Sequence, residues 1–350
     1  QNNARQNTIS KLNQYTDVES SLTEAKRLYE LNKRLYEKGA IGKQDFTGDV
    51  SSSQRHESAH KHVTGEALFV DDMRTPEGTL AVYVAMSDYA HARIIKMDLS
   101  AVSEAYGVVS VVSAADIPGT NDISPVMGDD PLFASGLVEY SGQALFAVAA
   151  ESIKTARDAA KLAVIKYEEL PAIISIDEAM ERESFLETPH VMERGDAVKA
   201  ISKAPHSLSG RVYTGGQEHF YLEGQVALAI PGEDADLTVY SSTQHPSEIQ
   251  HTVAKVLGTA NHSVTVEVRR MGGAFGGKES NGNLPAAVAA LIASKTGRPA
   301  KVRYDRDQDM IITGKRHDFR IEYEVGFDDN GRIEGVIFDQ AARCGMSYDL

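Results

Sequence analysis

The chain has 350 residues, 42% hydrophobic and 25% charged, which is the composition of a soluble globular protein too long for one ordinary core. Its formal net charge of −14 argues against a nucleic-acid partner, because neutralising phosphates takes clustered Lys and Arg. The single cysteine, Cys344, excludes an internal disulfide framework, a four-cysteine iron–sulfur site and a zinc ribbon built within the chain.

No apolar run reaches the roughly 18 residues of a membrane span, and the opening QNNARQNT lacks signal-peptide character, so a cytoplasmic setting is expected. Charge is unevenly spread: residues 1–50 hold 8 Lys+Arg against 7 Asp+Glu, leaving 28 against 43 for the remainder. Residues 8–38 read as one long helix, with Tyr15, Leu22, Tyr29 and Tyr36 in heptad register and Gly39 as its stop. The segment 1–46 is therefore a helical, coiled-coil-like leader. The polar, Ser-rich stretch 47–57 reads as a linker.

Beyond it, strands are expected at 67–70, 80–86, 107–112 and 144–149, a helix at 151–161 and a strand at 162–167. Residues 183–205, with Pro189, Gly195 and Pro205, read as an irregular passage between domains. Strands follow around 207–214, 225–230 and 237–242, then a helix at 246–257 closed by Gly258. The alternating strand 263–269 runs into a glycine loop, and a helix of small apolar residues from Pro285 to Lys295 ends at Gly297-Arg298-Pro299. Strands at 300–304, 319–326 and 333–339 complete an α+β pattern.

Three groups of residues carry chemistry. In Met271-Gly272-Gly273-Ala274-Phe275-Gly276-Gly277-Lys278-Glu279, four glycines permit positive φ and bring backbone N–H groups to a ligand without interposed Cβ atoms. Glu279 follows Gly-Lys where a phosphate-binding P-loop has Ser or Thr, and the spacing is not that of a dinucleotide fold; a tight turn is the bland alternative. In Gly215-Gly216-Gln217-Glu218-His219-Phe220-Tyr221-Leu222-Glu223, a neutral amide beside two glycines suits hydrogen bonding to an oxo or neutral oxygen. His219 reads as a packed, hydrogen-bonded histidine. The run Arg303 to Met310 reads as a charged strand end and turn whose ions pair among themselves.

In this order and spacing, the three groups resemble the molybdenum-binding subunit of the xanthine dehydrogenase and aldehyde oxidase family. The likeness extends to His56-Glu57-Ser58-Ala59, His62-Val63-Thr64-Gly65-Glu66-Ala67 and Tyr89-Ala90-His91-Ala92-Arg93-Ile94, and runs from about residue 54 to Leu350. It implies an α/β hammerhead domain over 58–175, a connection over 176–205 and an incomplete, mixed α/β molybdopterin-binding domain over 206–350. It also implies a molybdenum–pterin cofactor without a protein side chain on the metal. Gln217 would bond the oxo ligand, the backbone of Phe275 and Gly276 would face the metal, and Glu279 would orient a purine such as hypoxanthine or xanthine. The implied reaction is hydroxylation by water made acidic on the metal, with electrons leaving through iron–sulfur clusters and FAD, carried on partner domains or a partner subunit, to NAD. The family's general-base Glu would lie beyond Leu350, so residues 1–350 alone are expected to be inactive. Separately, Arg34 to Phe46 resembles the hairpin of periplasmic adaptor proteins, which keeps open a non-catalytic adaptor carrying a hammerhead-like binding module.

Overall fold

The computed structural model describes residues 58–347 together with Glu30 and Lys33, which are helical. The rest of the leader, its adaptor-like hairpin and the linker lie outside the described residues. The chain divides into two units, 1–67 and 68–350. In the first, helix α1 (Ala59–Thr64) ends at Gly65, whose φ of 79° provides the left-handed stop.

The second unit is organised by a seven-stranded sheet whose order is β10-β9-β8-β11-β1-β5-β3. Its strands are β1 (Leu80–Met86), β3 (Val108–Ser113), β5 (Ala144–Ala150), β8 (Val226–Pro231), β9 (Leu237–Ser241), β10 (Val264–Glu267) and β11 (Ala300–Arg303). Strands from the expected ranges 58–175 and 206–350 thus meet in one sheet, through the parallel pairing of Leu80 with Ala300 and Val82 with Val302. All seven residues of β5 are buried, as is expected of a central strand covered on both faces. On one face lie α6 (Pro246–Leu257) and α7 (Asn283–Thr296), against Leu80, Val82, Ala229 and Val239. Helix α7 is buried at every position from Asn283 to Ala293, and its alanines let it lie close to the strands. On the other face, α3 (Ile153–Ala160) packs Ala156 and Ala159 against Phe146 and Val148.

Two three-stranded sheets complete the unit. One is β4-β2-β6, formed by Leu137–Val138, Ala92–Asp98 and Val164–Glu169; the other is β13-β12-β7, formed by Ile333–Ala342, Phe319–Phe327 and His206–Thr214.

Several local expectations are corrected. Residues 67–70 form no strand: the Asp72 carboxylate accepts the Phe69 N–H, and Asp72 and Met73 donate back to the Phe69 and Val70 carbonyls, so this backbone is spent on a turn. Strand β10 stops at Glu267 because its neighbour β9 supplies no partner beyond Tyr240. The passage 183–205 is not wholly irregular. It holds α5 (Ala197–Lys203), capped by Asp196, and is preceded by α4 (Ile176–Glu181), capped by Ser175. The Arg303–Met310 run is not a turn either: Asp305 caps α8 (Arg306–Ile312) through the Gln308 N–H at 2.8 Å. Its ions pair outward, Arg303 with Asp71 and Asp305 with Arg157.

Candidate cofactor site at the glycine loop

Strands β9, β10, β11 and β1 point the same way, and β8 runs against them. The segments leaving β9 (from Ser242), β10 (from Val268) and β11 (from Tyr304) therefore gather at one end of the sheet, where the segment 215–225 enters β8. Crevices beyond the carboxyl ends of strands are the usual ligand positions in such sheets.

The loop itself is built on left-handed backbone, with φ of 100° at Gly273, 57° at Phe275 and 91° at Gly276. Glycine takes this without cost, but Phe275 carries strain on the order of 1–3 kcal/mol. The residue is 76% exposed, so little burial of its own repays that cost. What holds the loop is underneath.

Glu223 ties down both loop ends. Its N–H donates to the Gly272 carbonyl (3.1 Å), and its Oε2 accepts the Gly272 N–H (2.8 Å) and the Ser242 hydroxyl (2.7 Å). Lys278, at the far end, is fully buried; its Nζ donates to the Glu223 carbonyl (2.7 Å) and Ser242 Oγ (2.6 Å), lies 3.5 Å from Glu223 Oε2, and sits over the Tyr221 ring at 4.6 Å. Burial holds the Lys278 ammonium below the usual lysine range, opposed by the Glu223 charge. Beside it, Gln225 Nε2 donates to the Gly277 carbonyl (2.8 Å) and to Tyr221 Oη (2.9 Å), and the Tyr221 hydroxyl donates to Asp309 (2.6 Å). Burial first, and then the Asp309 carboxylate, push the Tyr221 hydroxyl well above the ordinary tyrosine range.

From above, Gln244 Oε1 accepts the N–H groups of Gly276 (3.1 Å) and Lys278 (3.3 Å). The His219 ring packs on the loop: a Cβ at Gly277 would come within 2.6 Å of its Cγ.

The structure brings the expected site residues to the same end of the sheet. Gln217 is pinned by a backbone bridge to Arg316, its N–H donating at 3.0 Å and its carbonyl accepting at 3.1 Å, while the neighbouring Glu218 pairs with Lys315 at 2.9 Å. Its carboxamide is left exposed. Phe275, Gly276 and Glu279 are exposed on the loop. The Gly276 N–H is committed to Gln244, which leaves the Phe275 N–H without a hydrogen-bond partner among the described residues. His219 is packed as expected, against Tyr221 and Gly277, but its ring makes no hydrogen bond among the described residues. Sequence reasoning missed the frame of Gln225, Ser242, Gln244, Lys278 and Asp309; position just past the ends of β9 and β11 was the signal that marks Ser242, Gln244 and Asp309.

Partial burial keeps the His219 imidazole below its ordinary value, so it is neutral at neutral pH. A base with a lowered folded value binds fewer protons folded than unfolded. Its contribution is therefore intact above about pH 6.5 and falls as pH drops through the unfolded and then the folded value. Ring-proton NMR should place the His219 midpoint below the ordinary histidine value of about 6.5; a midpoint above it would contradict this packing.

A family model described as the molybdopterin cofactor-binding domain matches residues 180–350, and one described as the aldehyde oxidase and xanthine dehydrogenase a/b hammerhead domain matches residues 64–171. The chain belongs to the xanthine dehydrogenase and aldehyde oxidase family. It carries that family's hammerhead domain and part of its molybdopterin-binding region. It is 41% identical over 301 residues to a xanthine dehydrogenase of Dictyostelium discoideum, covering 86% of this chain and 22% of that protein. Aldehyde oxidase 3 of Rattus norvegicus is 42% identical over 283 residues, covering 80% of this chain and 21% of that protein. The fold matches the aldehyde oxidoreductase from Desulfovibrio gigas with a TM-score of 0.74 at 25% identity, over 88% of this chain and 37% of that one. The chain thus spans about a fifth of the curated relatives it matches. Among the described residues, no helix is long and apolar enough to cross a membrane.

Proposed function

We propose that residues 215–225 and 272–279 form one wall of a molybdenum–pterin site in a xanthine dehydrogenase-type hydroxylase that acts on purines. One observation carries this: the strained, exposed Phe275 is held by a buried frame and its N–H is left for a ligand, at the end of the sheet from which the segment carrying the exposed neutral amide Gln217 enters β8.

The residues fit an oxygen-rich group. Gln217 offers N–H donors without adding charge, and Phe275 offers a backbone donor. Gly276 contributes open surface, since a Cβ there would meet only His219 Nε2, at 3.9 Å. The cofactor supplies a two-electron oxidation coupled to incorporation of oxygen from water. This chain's part is to orient and to exclude: the glycine loop lets the cofactor approach closely, and Glu279 accepts a hydrogen bond from a ring N–H of the substrate. The domain plan of hammerhead over 58–175, connection over 176–205 and cofactor domain over 206–350 belongs to this reading. So do a cytoplasmic setting and an electron path through iron–sulfur clusters and FAD on partner domains or a partner subunit to NAD.

The two curated relatives above are almost equally similar, so overall identity does not choose between purines and aldehydes. The choice rests on Glu279. In the complete enzyme, Glu279→Ala should lower kcat/KM for hypoxanthine by on the order of 10- to 100-fold, the value of one hydrogen bond to a charged group, with little change for an aromatic aldehyde. Equal losses on both substrates would remove Glu279 from the orienting role. Molybdenum and pterin assays of the same protein test the cofactor assignment directly.

A further inference from the structure

The run Arg303 to Met310, expected to serve structure alone, reaches the glycine loop through helix α8. Arg306 and Asp309 stand at i and i+3 and so share one face of that helix. Both grip the segment that enters β8. Arg306 Nη2 donates to the carbonyls of Tyr221 (2.6 Å) and Leu222 (3.1 Å), while the Asp309 carboxylate accepts the Tyr221 hydroxyl (2.6 Å) and the Gln225 N–H (2.9 Å). Tyr221 is therefore held at its backbone and at the far end of its ring.

An extended strand turns successive carbonyls to opposite sides, whereas here two successive carbonyls face one nitrogen. The bend comes just before them, at Phe220, whose φ of 49° is left-handed although the residue is 65% exposed. The Arg306 guanidinium also lies over two rings, its Cζ 5.2 Å from the Phe220 centroid and 5.7 Å from that of Tyr221. Donation and stacking by one planar group are what a guanidinium does and an ammonium does not.

Tyr221 in turn lies under the loop on both sides of Phe275. A Cβ at Gly273 would stand 3.2 Å from Tyr221 Cβ, and one at Gly277 would stand 2.9 Å from Tyr221 Cε1. Contacts this close leave no slack, so a displacement of Tyr221 is passed to the loop.

We propose that Arg306 is a positioning residue of this site: by fixing the carbonyls of Tyr221 and Leu222 it sets where Tyr221 stands, and thereby where the glycine loop presents the Phe275 N–H. The proposal rests on the reading of the loop as a cofactor wall.

The test uses two variants of the complete enzyme. Arg306→Met removes the donors and the charge. Arg306→Lys keeps the charge and a donor but not the planar fork. Molybdenum content per protein is measured for each, together with hydrogen exchange of the N–H groups in 272–279, taken against those of the buried helix α7 as an internal reference.

Arg306→Met should speed exchange in 272–279 roughly tenfold while α7 stays within about twofold of the parent, and molybdenum content should fall roughly tenfold. Arg306→Lys should rescue part of both losses, and it carries the test alone if Arg306→Met does not fold. Equal acceleration in the loop and in α7 would make Arg306 a brace of the whole unit and overturn the proposal. So would parental loop exchange and parental molybdenum content in Arg306→Lys. Faster loop exchange in variants of an enzyme whose parent holds no molybdenum would uphold the positioning role and overturn the cofactor reading instead.

Discussion

Replacing Lys278 by methionine should destabilise the fold by about 3–5 kcal/mol, the cost of removing one partner from a buried ion pair. The side chains of Lys278 and Glu223 are 0% and 6% exposed, so water cannot take the place of the missing ammonium. The loss does not stop at one contact. Glu223 holds the loop entrance at Gly272, and Lys278 holds the exit through the Glu223 carbonyl, so one substitution releases both ends. Adding Glu223→Gln to Lys278→Met should recover part of the loss, because the orphaned charge is gone while an amide oxygen remains for the Gly272 N–H. Chemical denaturation of the parent, both single variants and the double variant reads this as a coupling energy. A Lys278→Met loss below about 1 kcal/mol would show that the pair is not what anchors the loop.

Gly277→Ala should be the second costly change. The added methyl would stand 2.6 Å from His219 Cγ, 2.7 Å from His219 Nδ1 and 2.9 Å from Tyr221 Cε1. Tyr221 cannot yield, being buried and hydrogen-bonded to Asp309, so the loop must lift. Overpacking of this kind costs about 1–3 kcal/mol, and displacement of Phe275 should strip molybdenum from the complete enzyme well beyond that stability loss. Gly276→Ala makes the control. Its site is open, so only the positive φ of 91° opposes a methyl, and its effect should be the smaller. Molybdenum analysis of the two purified variants decides: equal retention would mean that the close packing at Gly277 does not set the position of the loop.

The elements whose signals are local were readable in advance. The helix over 246–257 was marked by Pro246 at its start and Gly258 past its end, and the structure puts both there, with Gly258 at φ 66°. The strand over 80–86 came from its apolar run, and α7 from small apolar residues between breakers. What escaped was decided at a distance. Ala67 to Val70 has the composition of a strand, but Asp72 claims its backbone. The Arg303–Met310 charges look self-complementary, yet their partners Asp71 and Arg157 stand more than 140 residues away in the chain. The site divides in the same way. Resemblance singled out Gln217, Phe275, Gly276 and Glu279 as the residues proposed to face the ligand, whereas it gave Lys278 no role. Nothing in the sequence around it tells that it points inward to Glu223.

The parallel pairing of β1 with β11 has a practical consequence for dissecting the chain. A piece beginning at residue 206 would leave Ala300–Arg303 as a bare edge, its Ala300 and Val302 stripped of the neighbour that now buries them. Exposed apolar edges recruit strands from other molecules. Such a piece should therefore gather into aggregates when expressed, and the unit suited to isolation is the one that keeps residues 68–347 together.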